Sequence, residues 1–232
     1  MKQGLPVFIV GTELSLVAMR PSGWQPGQDV SGVVIREAAD GAGPARGTRV
    51  VGLAEQGAWS EQVVVSTRKL TEVPDGFDLV AAATLPLAGL TALRTIRLLG
   101  PAIGKRLLVT GASGGVGRLQ VQLGVLAGMQ VTAVTTRSAS MEGAHHTVAH
   151  VTEASGPFDA VMESIGGPSL SEAISVAAPG ADIVVLGASS GEKSSINIYD
   201  FIGQSLGRLL RVSARHLSDV GGGRGVESAA ER

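Results

Sequence analysis

The stretch Leu107–Gly117, which reads LLVTGASGGVG, decides the fold of this chain. Its first residues form an apolar run that predicts a buried strand, and the apolar segment Val116–Gly128 that follows predicts a helix. Glycines placed between a strand and a helix are typical of turns that hold phosphate groups. We therefore predict a strand, a tight turn and a helix whose N-terminus binds the pyrophosphate of a dinucleotide.

The residues of this glycine turn have separate tasks in such a site. Ala112 stands where the first glycine of the usual fingerprint makes the tight turn, and Gly114 lets the backbone approach a pyrophosphate. Gly117 lets the helix pack close to the strand. The predicted binding residues of the turn are Ala112, Ser113, Gly114, Gly115, Val116 and Gly117. A glycine-rich turn without a ligand is the alternative.

The end of the second strand bears on the choice of cofactor. An NAD site places a carboxylate there, about 20 residues after the turn, to hold the ribose hydroxyls. The predicted strand Gln130–Thr135 is followed by Thr136, Arg137 and Ser138, which supply a cation and hydroxyls and no carboxylate. These groups suit a 2′-phosphate, so NADP(H) is favoured over NAD(H). The alternative is that Arg137 is simply solvated.

The composition narrows the class of protein. The 232 residues are 44% hydrophobic and 17% charged, which predicts a folded chain with a sizeable core. A net charge of -1 with scattered Lys and Arg does not indicate a nucleic-acid-binding surface. The sequence has no apolar run long enough to predict a membrane span. The lack of cysteine excludes disulfides, thiolate metal ligands and a cysteine nucleophile. Without a signal peptide, we expect a cytoplasmic protein.

The pattern of the chain changes near residue 78. Before it, the Val-rich runs Val30–Ile35, Arg49–Leu53 and Ala58–Val65 predict a small antiparallel barrel. After it, alternating strands and helices predict an α/β fold with a doubly wound parallel sheet. The further elements predicted there are the helices Asp78–Thr84, Leu90–Leu99 and Ser169–Ala178, and the strands Phe158–Glu163, Asp182–Gly187 and Leu209–Ser213. We expect a β-rich domain over 1–90, a dinucleotide-binding domain over 91–216 and a flexible tail over 217–232.

The glycine turn is compatible with two superfamilies of dehydrogenases. The short-chain superfamily shares the glycine pattern, but carries it near the N-terminus and uses a Tyr-x-x-x-Lys pair. Here the motif lies far along the chain, and Gly203 stands four residues after Tyr199, the only tyrosine. The short-chain interpretation is therefore rejected, and Tyr199 is expected to be a buried packing residue.

Several segments, in order, resemble the medium-chain dehydrogenase/reductase superfamily, and specifically its zinc-free quinone oxidoreductase branch. Besides the glycine turn they are Pro26–Val34, Gly47–Gly52, Gly57–Glu61, Ala82–Ala92, Gly156–Val161 and Ser164–Gly167. The resemblance implies a Rossmann-type domain and a partial GroES-like β-barrel domain at the N-terminus. It also implies an enzyme that transfers hydride from NADPH to a quinone or activated enone, and a homodimer paired through Leu209–Ser213.

The resemblance carries further residues into the cofactor site. Thr91 matches a threonine near the nicotinamide, with a helix-cap role as the alternative. Ser164 borders the adenosine side or the pyrophosphate. A loop that passes the nicotinamide ring contains Gly187, Ala188 and Ser189. No catalytic residue is assigned, because a reduced quinone takes its protons from water.

Zinc is not expected. Zinc members of the superfamily carry Gly-His-Glu where this chain has Gly27, Gln28 and Asp29. The four histidines, which are His145, His146, His150 and His216, are expected in a polar connection or alone rather than at a metal.

The resemblance weakens towards both ends of the chain. Residues 1–19 and the stop at Arg232 predict a chain truncated at both ends, with a partial substrate domain and a nearly complete cofactor domain. The helix after the second strand is also expected to be largely lost. The alternatives to quinone or enone reduction are an enoyl reductase of a biosynthetic pathway and a non-catalytic dinucleotide-binding protein.

Overall fold

The computed structural model of the chain describes residues 22–137, 140–197, 199 and 208–211. Within them the strands are β1 (Asp29–Val33), β2 (Arg49–Leu53), β3 (Leu70–Glu72), β4 (Arg106–Val109), β5 (Gln130–Val134), β6 (His146–Val148), β7 (Phe158–Glu163), β8 (Ala177–Val185) and β9 (Arg208–Arg211). The α-helices are α1 (Leu79–Ala82), α2 (Pro86–Leu98), α3 (Gly115–Leu126) and α4 (Pro168–Ser175). Short 3₁₀ turns form at Thr67–Lys69 and Val151–Glu153.

The larger sheet has six parallel strands in the order β6-β5-β4-β7-β8-β9. This is the order 3-2-1-4-5-6 of a Rossmann-type fold, in which the strand order reverses between the first and fourth strands. Here those strands are β4 and β7. The predicted doubly wound parallel sheet is therefore confirmed.

Alternation along the central strands explains why both faces of this sheet are covered. Successive side chains of a strand point to opposite faces. Accordingly, Leu107 and Val109 of β4 join one apolar cluster with Ile96 of α2 and Val121 of α3. Leu108 of β4 joins the other cluster, which packs against α4. A strand segment that is buried on both faces must be apolar, as Leu107, Leu108 and Val109 are, and the charged Arg106 lies at the partly exposed start of β4.

The smaller sheet is antiparallel, in the order β1-β2-β3. Its link to the rest of the chain is direct, because Asp29 of β1 accepts a hydrogen bond from the Leu87 N–H at the start of α2 (2.7 Å). The predicted strand Ala58–Val65 is wrong. The segment bends at residues 59–62, where the Ser60 hydroxyl donates to the Gly57 and Gln62 carbonyls at 2.7 Å each, and no strand forms over its length.

Some predicted boundaries are also corrected. The helix expected from Leu90 begins at Pro86, because proline suits the first helical position. The strand expected from Asp182 begins at Ala177. The sequence did not predict β3 or β6, which are three residues long and give no periodic signal. The connection between β5 and β6 contains no helix over its described residues, 135–137 and 140–145.

The predicted division into domains stays a prediction, and its boundary at residue 90 falls inside α2. The expectations for residues 1–19 and for the tail at 217–232 lie outside the described residues, as does the end of the predicted strand Leu209–Ser213. In the described part of the chain, no helix has the length and apolar character needed to cross a membrane.

Two helical glycines give a matched test of the packing between α3 and the sheet. A Cβ at Gly124 would lie 2.9 Å from Leu107 Cδ2 and 3.1 Å from Val131 Cγ2, whereas one at Gly89 would keep at least 3.8 Å from its neighbours. We expect Gly89→Ala to raise the free energy of unfolding by about 0.5 to 1 kcal/mol, because alanine favours helix. Gly124→Ala should lower it by about 1 kcal/mol, because overpacking outweighs that gain. Urea unfolding measures both, and equal shifts would contradict the close packing of α3.

Candidate functional site

The loops that follow β4, β7 and β8 meet at one edge of the parallel sheet. These loops are the glycine turn, the segment Ser164–Gly167 and the segment Gly187–Ser190. Parallel strands end at the same edge, and ligands of such sheets bind where the strand order reverses. The structure thus gathers predicted site residues that lie far apart in the sequence.

The glycine turn is tight, and its left-handed residue is Gly111 (φ +61). The Gly114 N–H donates to the Gly111 carbonyl at 2.9 Å, and the Ala112 N–H donates to the Val134 carbonyl at 3.1 Å. The prediction that gave the tight turn to Ala112 therefore needs correction. Ala112 is fully buried, and the positive φ, which glycine adopts most easily, falls one residue earlier.

The start of α3 offers free backbone donors. Gly114 is the N-cap residue and no side chain caps the helix, so the N–H groups of the first turn lack a partner within the helix. A Cβ at Gly114 would lie 3.2 Å from the Gly111 carbonyl oxygen, and one at Gly117 would lie 2.8 Å from Ala112 Cα. The glycines thus keep this end of α3 narrow and accessible, as a bound pyrophosphate requires.

A cation that the sequence reasoning missed stands beside the turn. The Nε of Arg118 donates to the Ser113 carbonyl at 3.1 Å, and the side chain is exposed. This contact holds the guanidinium near the start of α3. A basic residue in the first turn after a glycine motif could have been noted as an additional phosphate contact.

Glu163, at the carboxyl end of β7, organises the loops and was also missed as a site residue. It is fully buried. Its Oε1 accepts hydrogen bonds from the Thr110 hydroxyl (3.1 Å), the Ile165 N–H (3.1 Å) and the Ser169 hydroxyl (3.0 Å). Its Oε2 accepts one from the Gly166 N–H (2.9 Å). One carboxyl group therefore joins the residue before the glycine turn to the loop after β7.

Ser164 lies beside the glycine turn. Its hydroxyl donates to the Thr110 carbonyl at 3.0 Å, and its own carbonyl accepts a bond from the Ser189 N–H at 3.2 Å. A Cβ at Gly187 would lie 3.0 Å from the same carbonyl, and one at Gly166 would lie 3.2 Å from the Cα of Ala188. The predicted residues Ser164, Gly187, Ala188 and Ser189 are therefore adjacent to one another and to the turn.

Thr91 lies inside α2 and is only 8% exposed. Its hydroxyl donates to the Leu87 carbonyl, one turn back along the helix, at 2.7 Å. The helix-cap alternative is wrong, because α2 begins at Pro86. A Cβ at Gly115 would lie 4.0 Å from the Ala88 Cβ, so the first turn of α2 faces the start of α3. The proposed contact of Thr91 with a nicotinamide stays a prediction.

A separate cleft of about 340 Å³ opens beyond the end of β5. Its lining comprises Thr135, Thr136, Arg137, Thr147, Val148, Ala149 and Glu153. Thr136 and Arg137 are exposed, and the Arg137 N–H donates to the Thr135 hydroxyl at 3.2 Å. The predicted cofactor residues Thr136 and Arg137 thus share one cleft, whereas Ser138 lies outside the described residues.

The remaining candidate residues give a mixed result. No group of three side chains able to hold a metal ion occurs within the described ranges, and zinc independence stays a prediction. His146 is the first residue of β6, and His145 directly precedes that strand. The Nδ1 of His145 accepts a hydrogen bond from the Val131 N–H at 3.1 Å, so a strand lies where a polar connection was expected. His216 lies outside the described residues. Tyr199 is 74% exposed, so the expectation of a buried tyrosine is wrong.

Comparison with known proteins gives partial matches. No family model matches the chain. The mitochondrial NAD(P)H oxidoreductase RTN4IP1 of Bos taurus is 34% identical over 160 residues, which are 61% of this chain and 40% of that protein. The chloroplast envelope quinone oxidoreductase homolog of Arabidopsis thaliana is 38% identical over 117 residues, 47% of this chain and 36% of that protein. The chain therefore spans well under half the length of these relatives.

Solved structures match over more of the chain. Mycobacterial Rv1454c complexed with NADPH has a TM-score of 0.79 and 23% identity, and the match covers 91% of this chain and 72% of that one. YhdH of E. coli K-12 with bound NADPH has a TM-score of 0.69 and 27% identity, over 84% of this chain and 66% of that one. The fold and the glycine turn define a Rossmann-type α/β protein with an added antiparallel sheet. Its relatives and structural neighbours are quinone and enoyl oxidoreductases of the medium-chain dehydrogenase/reductase superfamily, which agrees with the resemblance carried by its sequence segments.

Removal of the Glu163 carboxyl group should loosen the contact between the glycine turn and the loop after β7. We expect Glu163→Ala to lower the free energy of unfolding by roughly 3 kcal/mol, because buried donors lose their acceptor. Glu163→Gln should cost less, because it keeps one acceptor oxygen. Chemical unfolding measures both, with Glu142→Gln as a control on an exposed carboxylate. Loss of less than about 1 kcal/mol in the alanine variant would show that the four bonds do not matter to the fold.

Proposed function

We propose that this chain is an NADPH-dependent oxidoreductase that transfers hydride to a quinone or an activated enone without zinc. The observation that carries the proposal is the meeting of the uncapped start of α3, the glycine turn and the loops after β7 and β8 at one sheet edge. The names of the relatives support it, because one is an NAD(P)H oxidoreductase and the other a quinone oxidoreductase homolog. The NADPH complex of YhdH supports the choice of NADP(H).

The residues of the chain divide the work of holding the cofactor. The first N–H groups of α3 bind the pyrophosphate, and Gly114 keeps the backbone within reach of it. Arg137, with Thr136 and Ser138, binds the 2′-phosphate. The segment Gly187–Ser189 and Thr91 position the nicotinamide, which supplies a hydride when the cofactor is bound.

The positions that zinc members use as ligands have structural contacts here, which supports a zinc-independent reaction. Asp29 accepts the Leu87 N–H, and the Gln28 amide donates to the Glu55 carbonyl at 3.4 Å. Without a metal, a quinone or an activated enone is the suitable acceptor, because it is already electron-poor. Protons reach the reduced product from water, and no side chain is assigned as the acid.

We further propose that the β1–β3 sheet is part of a GroES-like barrel and that the protein is cytoplasmic.

Binding and turnover test this function separately. We expect NADPH to bind to the protein and to be oxidised in the presence of a benzoquinone or a cyclic enone, followed at 340 nm. An enoyl thioester in the same panel tests the biosynthetic alternative. Gly114→Ala should weaken NADPH binding at least tenfold, because the added Cβ crowds the turn. Tight binding without turnover of any acceptor would instead favour a non-catalytic dinucleotide-binding protein.

We also propose a homodimer in which β9 pairs with its copy across a two-fold axis. β9 is the last strand in the described order of the large sheet and pairs there with β8 alone, and an unpaired edge favours association. Sedimentation at micromolar concentration should give twice the chain mass, and dilution should reduce the hydrogen-exchange protection of Arg208–Arg211. A monomer at those concentrations would contradict this pairing.

A further inference from the structure

The cleft beyond β5 also contains a carboxylate, that of Glu153. The residues that directly follow β5 include no acidic side chain, which favours NADP(H). Glu153 comes from elsewhere, from the 3₁₀ turn Val151–Glu153 that follows β6, and lines the same cleft as Arg137. Because β5 and β6 are parallel neighbours, their carboxyl ends bring the two groups to one place.

Glu153 is held in this position by the backbone. Its Oε2 accepts a hydrogen bond from the Ala149 N–H at 3.1 Å, and Ala149 directly follows β6. Over the residues that the structure describes, no ion pair joins Arg137 to Glu153. The cleft of about 340 Å³ therefore presents a cation and a carboxylate as separate groups, each available to a ligand.

We propose that Glu153 is a specificity-determining residue that makes the adenosine end of the site accept NADH as well as NADPH. A 2′-phosphate is attracted by Arg137 and repelled by the Glu153 carboxylate across a cleft of this size. The ribose hydroxyls of NADH are donors that a carboxylate can accept. The two side chains thus oppose each other in the choice of cofactor. This inference rests on the proposed dinucleotide-binding function.

The test compares Glu153→Gln, Arg137→Gln and wild-type protein by the dissociation constants of NADPH and NADH. Glutamine keeps an acceptor oxygen for the Ala149 N–H, so the local fold is preserved. We expect Glu153→Gln to lower the dissociation constant of NADPH about fivefold, because the repulsion of the 2′-phosphate is removed. It should raise the dissociation constant of NADH about threefold, because an amide oxygen is a weaker acceptor for the ribose hydroxyls than a carboxylate. Arg137→Gln should raise the dissociation constant of NADPH about tenfold and leave that of NADH within twofold of the wild-type value.

The ratio of the two constants is taken on one sample, so a loss of folded protein cancels. Glu142→Gln removes the same charge from an exposed site and should leave the ratio unchanged. An unchanged ratio in Glu153→Gln, or an equal shift of the ratio in Glu142→Gln, would overturn the inference about Glu153. The proposed function would still stand in that case if the wild-type protein binds NADPH. If wild-type protein bound neither dinucleotide, both would be overturned.

Discussion

The buried carboxyl group of Glu163 joins the glycine turn to the loop after β7, and the proposed cofactor site depends on both. It accepts hydrogen bonds from the hydroxyl before the glycine turn and from two N–H groups of the loop after β7. A buried acceptor with four donors costs little only while all four remain in place. The positions of Thr110 and Ser164 are therefore fixed to one another, and through Ser164 the loop after β8 is fixed as well.

A second constraint acts on the other side of the turn, where α3 approaches β4. The approach requires glycine at Gly117 and Gly124, since a Cβ at either position would crowd atoms of the turn or of the strands. The same closeness directs the first N–H groups of α3 towards the sheet edge. Packing and ligand binding thus depend on the same absence of side chains, which is why the motif serves as a fold signal and as a site signal.

The cleft beyond β5, which is the proposed adenosine end of the site, illustrates how neighbouring strands contribute to one site. The residues after β5 supply hydroxyls and a cation, and the turn after β6 supplies a carboxylate. The connection between the two strands is short and, where described, not helical. Under the proposed function, selection between the two dinucleotides is a balance of opposite charges rather than the property of one residue. The antiparallel sheet is linked to this domain through Asp29 and the start of α2.

The sequence by itself determined the parallel sheet and the glycine turn, and it carries the resemblance to the medium-chain superfamily. These follow from local signals: continuous apolar runs such as Leu107–Val109, a glycine cluster between a strand and a helix, and motifs in a fixed order. Only the tertiary structure decided the positions of Glu163 and Glu153, the strand β6 and the bent segment at Ala58–Val65. A lone acidic residue or a three-residue strand has no periodicity of its own. Its role depends on which loops and strands pack beside it, and the pairing of β4 with β7 and of β5 with β6 sets that.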